Sequence, residues 1–168
     1  MVRRGAAILG RMVEIDIAEE AADSADVRWC FEQYYAELGR RIGYRLDEAL
    51  PLSVDELTRP RGLVLVAREG GIPVGCGAVK LLDDGVGEIK RMWVAPAARG
   101  RGVGRRLLEA LEEAAVAGGR TVARLETNET LGAALALYRD HGYVEVEPFN
   151  DEPYGTHWLS KRLQGGGS

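Results

Sequence analysis

The sequence predicts one mixed α/β (α+β) domain: a mostly antiparallel sheet of about six to seven strands flanked by about four helices. Three observations predict it. The hydrophobic period switches repeatedly between two and 3.6 residues along the chain. Two tight turns, Gly70-Gly71-Ile72-Pro73 and Asp83-Asp84-Gly85, separate apolar runs that such short connections can join only in antiparallel fashion. The chain of 168 residues, 46% hydrophobic and 29% charged, is long enough to bury roughly 70% of its unfolded surface without metal or disulfide staples.

Taken in order, Val13, Ile15 and Ile17 alternate with Glu14 and Asp16, the period of a half-buried strand. Val27, Phe31, Tyr34, Tyr35 and Leu38 then recur at helical spacing behind the capping types Asp23 and Ser24, with Gly39 or Gly43 as the stop. Ser53, with Glu56 three residues on, predicts a capping box and a short helix through Leu57. Leu63 to Arg68, Val74 to Leu82 and Glu88 to Val94 read as an antiparallel meander. A helix carrying Val103, Leu107, Leu108, Leu111, Ala114 and Ala115 on one face follows and ends at Gly118-Gly119. Val122 to Thr127 is a further strand, and the Leu131, Ala134, Leu135, Tyr138 stripe a further helix stopped by Gly142. Tyr143 to Val146 and His157 to Leu163 complete the sheet. Residues 1–11 read as a flexible extension, 12–163 as the domain and 164–168 as a flexible Gly-rich tail.

A net charge of -4 argues against a strongly basic nucleic-acid binder, and no apolar run has the length of a membrane segment. Cys30 and Cys76 stand alone, without a CxxC pair or a histidine cluster, so no metal site and no disulfide framework is expected and a reduced, cytoplasmic setting is the simplest. The expected partner is a small molecule rather than nucleic acid or membrane, with the chain a monomer or homodimer.

The chemistry is concentrated in Arg99-Gly100-Arg101-Gly102-Val103-Gly104-Arg105. A strand feeding a glycine-rich turn and then a helix aims several backbone N–H groups one way, at the positive end of the helix dipole. Gly102 and Gly104 let that backbone curl closely around a phosphate, and the arginines add charge, so a diphosphate is the natural ligand. The plainer alternative is a chain break before an exposed, Arg-rich helix start. A P-loop needs Lys then Ser or Thr where Arg105-Arg106 stand, and a dinucleotide fingerprint needs a third glycine at Arg105.

Arg99, two residues, Gly102, one residue, then Gly104 resembles the acyl-CoA signature of the GNAT superfamily of N-acetyltransferases. The stretch from Gly87 to Pro96 resembles that family's central strand, and Leu137-Tyr138 followed by Gly142-Tyr143 its later motif. The resemblance spans roughly Val13 to Leu163. It implies acetyl-CoA as cosubstrate and two splayed central strands between which pantetheine docks like an added strand. Main-chain groups of Met92, Trp93 and Val94 would then contact pantetheine, while Arg99, Gly100, Arg101, Gly102, Val103, Gly104 and Arg105 hold the diphosphate. Trp93 could equally be core. The Asn that many members carry seven residues before the Tyr is Leu131 here; Asn128, three residues earlier, either substitutes as a cofactor contact or caps the helix.

Aminolysis of a thioester needs a neutral amine, and an alkylamine is neutral in only about one molecule in a thousand at pH 7, so a base is required. By the resemblance Glu88 is that base, unless it forms a salt bridge with Lys90 or Arg91, and Tyr138 donates a proton to the departing thiolate, unless it is ordinary core. The Val94 N–H would polarise the thioester carbonyl. The resemblance places the acceptor pocket at the Tyr34-Tyr35, Arg40-Arg41, Tyr44 region and Phe149 to His157, with Tyr35 and Tyr44 expected to meet the acceptor and His157 itself structural. The function implied is direct transfer of an acetyl group to the amine of a small or amino-acid-like acceptor in a ternary complex. A protein N-terminal or lysine acetyltransferase and a non-catalytic acyl-CoA sensor are the alternatives.

Overall fold

A computed structural model describes residues 14–165, so the expected extension 1–11 and residues 166–168 of the expected tail lie outside the described residues. Among the described residues, seven strands form one sheet: β1 (Ile15–Glu20), β2 (Gly62–Glu69), β3 (Ile72–Leu81), β4 (Val86–Val94), β5 (Val122–Thr127), β6 (Val144–Glu145) and β7 (His157–Arg162). Their order is β1-β2-β3-β4-β5-β7-β6, and every neighbouring pair is antiparallel except β4 with β5. Three α-helices flank it: α1 (Ala25–Ile42), α2 (Val103–Ala117) and α3 (Gly132–Asp140).

Helix α1 starts where Ser24 Oγ accepts from the Val27 N–H at 3.1 Å and stops at Gly43, whose φ of 67° a side chain would resist. The Tyr44 N–H turns back to the Leu38 carbonyl at 3.3 Å, which sends Tyr44 over the last turns of α1 rather than away from it. The short helix expected at Ser53 is a 3-10 turn, Asp55–Leu57, which stands beside three α-helices among the described residues. Its capping box does form, Ser53 N–H to Glu56 Oε2 at 2.8 Å and Glu56 N–H to Ser53 Oγ at 3.3 Å. Pro60 follows too closely for another helical turn.

Two cores lie on opposite faces of the sheet. On one, Val27, Cys30 and Phe31 of α1 pack against Val64, Val66, Cys76, Ala78 and Trp93. On the other, Leu107, Leu108 and Leu111 of α2, fully buried, pack against Leu63, Leu65, Val79, Ile89 and Leu125, with Leu135 and Tyr138 of α3 alongside. Each such leucine contributes roughly 1.5–3 kcal/mol by burial, so the start of α2 is held firmly. Gly77 permits the close approach: a Cβ there would lie 2.7 Å from Leu111 Cδ1.

Candidate active site

The one parallel pairing in the sheet is short. Strand β4 bonds β5 only over Val86 to Glu88 against Val122 to Arg124, and beyond that both strands continue unpaired toward each other, β4 to Val94 and β5 to Thr127. Their facing main-chain groups are open to an extended ligand, as a sheet edge is to a strand. Met92, Trp93 and Val94 all lie on this open stretch. The Trp93 side chain is core, 6% exposed and edge-on to Trp29 at 5.7 Å, so only its backbone faces the gap.

At the mouth of the gap the chain turns through the glycine-rich loop into α2. Gly100 and Gly102 both have φ of 79°, and Gly102 is the N-cap, with no side-chain cap. Among the described residues, no protein acceptor meets the N–H groups of Gly100, Arg101, Gly102, Val103, Gly104 or Arg105; the first helical bond is from Arg106 to the Gly102 carbonyl at 3.1 Å. Six consecutive free donors at a helix N-terminus form an anion cradle of backbone alone. Three of the loop arginines have protein partners of their own. Arg99 donates to Val94 O at 2.9 Å and to Glu37, Arg101 pairs with Glu69, and Arg105 extends along its own helix toward Glu109 at 4.0 Å.

Behind the gap, on the α1 face, lies a cavity of about 510 Å³. Its floor is an ion network across the splay. Glu88 places Oε1 2.9 Å from Lys90 Nζ and Oε2 3.0 Å from Arg124, and Lys90 also holds Glu126 Oε1 at 2.5 Å. Burial pushes the Glu88 carboxyl up, but Lys90 and Arg124 outweigh it and hold it below the usual carboxylate range. Burial likewise pulls Lys90 down, and Glu126 with Glu88 more than restores it. The Glu88 to Lys90 bridge that the sequence allowed therefore forms; Arg91 takes no part.

Glu126 is the functional candidate that sequence reading missed. Its side chain is 10% exposed and its Oε2 has no hydrogen-bond partner among the described residues. It follows Leu125 and precedes Thr127 in a strand of ordinary alternation, so position alone gave no signal. Tyr138 lies against the same cavity, 6% exposed, with no protein partner for its hydroxyl among the described residues. Burial first, then the charge of Glu126, raises its pKa, so it keeps its proton at neutral pH.

The outer wall is aromatic. Tyr35 stacks on Tyr44 at 5.7 Å, Tyr44 meets Tyr154 at 4.6 Å, and Tyr34 stands edge-on to Tyr35 at 5.3 Å. All four line the cavity. Asn128 also lines it but does not cap α3, whose N-cap is Leu131. Its Oδ1 accepts from the Thr130 N–H at 2.9 Å and its amide donates to Tyr154 O at 2.8 Å, tying the β5 end to the far loop. His157 lies outside the cavity, bonded to Glu145 at 2.6 Å.

The profile of the Acetyltransferase (GNAT) family matches residues 20–143. The chain belongs to this family. It is 42% identical over 131 residues to the IAA acetyltransferase of Azospirillum brasilense, covering 76% of this chain and 84% of that one. It is 39% identical over 130 residues to the N-alpha-acetyltransferase RimI of Mycobacterium tuberculosis, 75% of this chain and 77% of that one. Its fold matches a GNAT-family acetyltransferase from Staphylococcus aureus Mu50 with a TM-score of 0.75 at 16% identity, covering 90% and 100%. It matches Salmonella typhimurium yncA, whose structure contains its cofactor acetyl-CoA, with a TM-score of 0.67 at 20% identity, covering 92% and 96%. This GNAT chain is thus an acetyl-CoA-dependent N-acetyltransferase, and the free N–H cradle with the open β4–β5 edge fits that cosubstrate. Among the described residues no helix is long and apolar enough to cross a membrane.

Proposed function

We propose that the enzyme acetylates the amine of a small, amino-acid-like acceptor bound in the tyrosine-walled cavity, by direct attack on the thioester in a ternary complex. Acetyl-CoA supplies the activated acyl group; the N–H groups from Gly100 to Arg105 hold its diphosphate, and the open main chain of Met92 to Val94 orients the pantetheine. The observation that carries the reading is that Tyr138 and Glu126 both line the cavity beside the splay, and that neither Tyr138 Oη nor Glu126 Oε2 has a protein partner among the described residues. One is a donor kept protonated by burial, the other an acceptor kept free. Glu126 takes the ammonium proton, the neutral amine attacks the thioester carbonyl, and on collapse of the tetrahedral intermediate the C–S bond breaks, Tyr138 gives its proton to the leaving thiolate and the second nitrogen proton replaces it on Tyr138. Glu88 is a poorer base than its place on β4 suggests, because both its oxygens are engaged by cations. Its part is to hold Lys90 and Arg124 in place.

A small acceptor is favoured over a polypeptide by the loops that close the outer end. Tyr154 Oη donates to Glu48 at 2.7 Å and accepts the Arg45 N–H at 3.0 Å, while Glu152 Oε2 accepts from the Leu50 N–H at 3.3 Å. These bonds stitch residues 45–50 to residues 152–154 across the path an extended chain would take. Release of free thiol from acetyl-CoA against a panel of small amines tests the reading: amine-dependent release supports it. Release only with peptides, or none with any amine, overturns it.

A further inference from the structure

Among the described residues, the cavity lining includes one cation without a carboxylate partner. Lys80 is paired with Glu56, Lys90 with Glu88 and Glu126, and Arg124 with Glu88. Arg91, half-buried, has no salt-bridge partner among the described residues. Its guanidinium lies 4.5 Å from the centre of the Phe31 ring and 5.1 Å from that of Tyr35, and a single N–H reaches a protein acceptor, Leu52 O at 3.4 Å. A guanidinium carries five donors in a planar fork shaped for a carboxylate, so most of this one is unused.

Arg91 is in the cavity because of a backbone irregularity. Opposite Gly77 of β3, β4 spends two residues, Arg91 and Met92, and Arg91 takes φ of 54°. Simple alternation would put Arg91 with Ile89 and its neighbours in the α2 core. The bulge instead turns it to the α1 face with Lys90, and Met92 resumes the opposite face, where it meets the space above Gly77. A φ in this range costs on the order of 1–3 kcal/mol for a non-glycine residue, and it places an unpaired cation next in sequence to the lysine that holds Glu126.

Among the described residues, the cavity lining thus includes one cation without a salt bridge, Arg91, and one carboxylate with an unpartnered oxygen, Glu126, with Tyr35 against Arg91 and Tyr34 against Tyr35. We infer that the acceptor is a zwitterion: its amine docks at Glu126 beside the splay and its free carboxylate on the Arg91 fork, with the rest of the molecule against the tyrosine wall. This rests on the proposed reaction for the amine end, and the carboxylate end goes beyond it. The substrate class is a free amino acid or a similarly short amine–carboxylate, rather than a plain amine or an amidated one.

The test is calorimetric binding of L-phenylalanine, L-phenylalaninamide and phenethylamine to the CoA-bound enzyme, with thiol release from acetyl-CoA measured on the same three probes. The inference predicts that L-phenylalanine binds about tenfold to a hundredfold more tightly than either probe lacking the carboxylate. Arg91→Gln should erase that preference while leaving phenethylamine affinity unchanged, and Arg91→Lys, which keeps the charge but not the fork, should restore part of it. Equal binding of acid and amide in the wild type, or an unchanged preference in Arg91→Gln, overturns it. The two readings fail differently. Selective binding of the acid without acetylation would uphold the carboxylate site and sink the proposed reaction, whereas acetylation of phenethylamine without preference for the acid would do the reverse.

Discussion

On the α2 side of the splay, the groups proposed to meet the cosubstrate are backbone amides of six consecutive residues, Gly100 to Arg105, fixed by the buried leucines of the helix they begin. On the α1 side they are side chains drawn from α1, β4, β5, α3 and the loop before β7. The first site is local and leaves its mark as a spacing of glycines. The second is assembled by tertiary contacts, and its members are spread over about 120 residues of chain between Tyr34 and Tyr154. A backbone cradle suits a cosubstrate shared by a whole family, and a side-chain cavity suits an acceptor particular to one enzyme.

This contrast can be broken on the cosubstrate side by a single backbone change. Gly102→Val forces a β-branched residue into a φ of 79°, in a position with space for the side chain but not for that conformation. CoA affinity by calorimetry should fall by about a hundredfold, with Tm lowered by roughly 2–10 °C but the protein folded and the acceptor site intact. Tyr138→Phe keeps the ring and its packing while removing a hydroxyl that no protein group uses. Here kcat should fall by about a hundredfold with CoA affinity preserved. Near wild-type turnover would return Tyr138 to a packing role. Tyr44→Ala removes the ring stacked between Tyr35 and Tyr154, and the acceptor KM should rise by roughly tenfold while that of acetyl-CoA stays put. The smallest effect is expected from Arg101→Ala. Its guanidinium pairs at the surface with Glu69, so CoA affinity should change by less than about fivefold. A large loss would show that side chains and not the backbone carry the diphosphate.

The strands, the three α-helices and the glycine-rich cradle were legible in the sequence because each depends on neighbours within a few residues: alternation in β1, apolar runs set off by tight turns in β2 to β4, the leucine stripe of α2, the glycines at 100, 102 and 104. Tyr35 and Tyr44 were legible as aromatics away from the cofactor motifs. Glu126 was not, because its distinction is a missing partner, which only the packing of β4 against β5 reveals. Arg91 was read merely as a possible mate for Glu88. The bulge that turns it depends on the pairing of β4 with Gly77, and nothing in the local pattern signals it. The ion pairs of the loop arginines were not legible either, because Glu37 and Glu69, the partners of Arg99 and Arg101, lie 62 and 32 residues away in sequence.

The central claim is that Glu126, with its free oxygen, and not the doubly paired Glu88, takes the proton from the amine. The pH dependence of kcat for Glu126→Gln and Glu88→Gln, measured beside the wild type with a saturating amine acceptor, tests it most directly. Glu126→Gln should lose the acid limb of the profile along with most of the turnover. Glu88→Gln should keep that limb and instead lose stability at neutral pH, because it leaves Lys90 and Arg124 buried with less compensation. Since Glu88 is held below its usual range in the fold, the stability it contributes is full above the ordinary carboxylate pKa and is lost as pH falls through the lowered one. The Glu88→Gln deficit should therefore shrink in acid. An acid limb that survives in Glu126→Gln and disappears in Glu88→Gln would contradict the assignment.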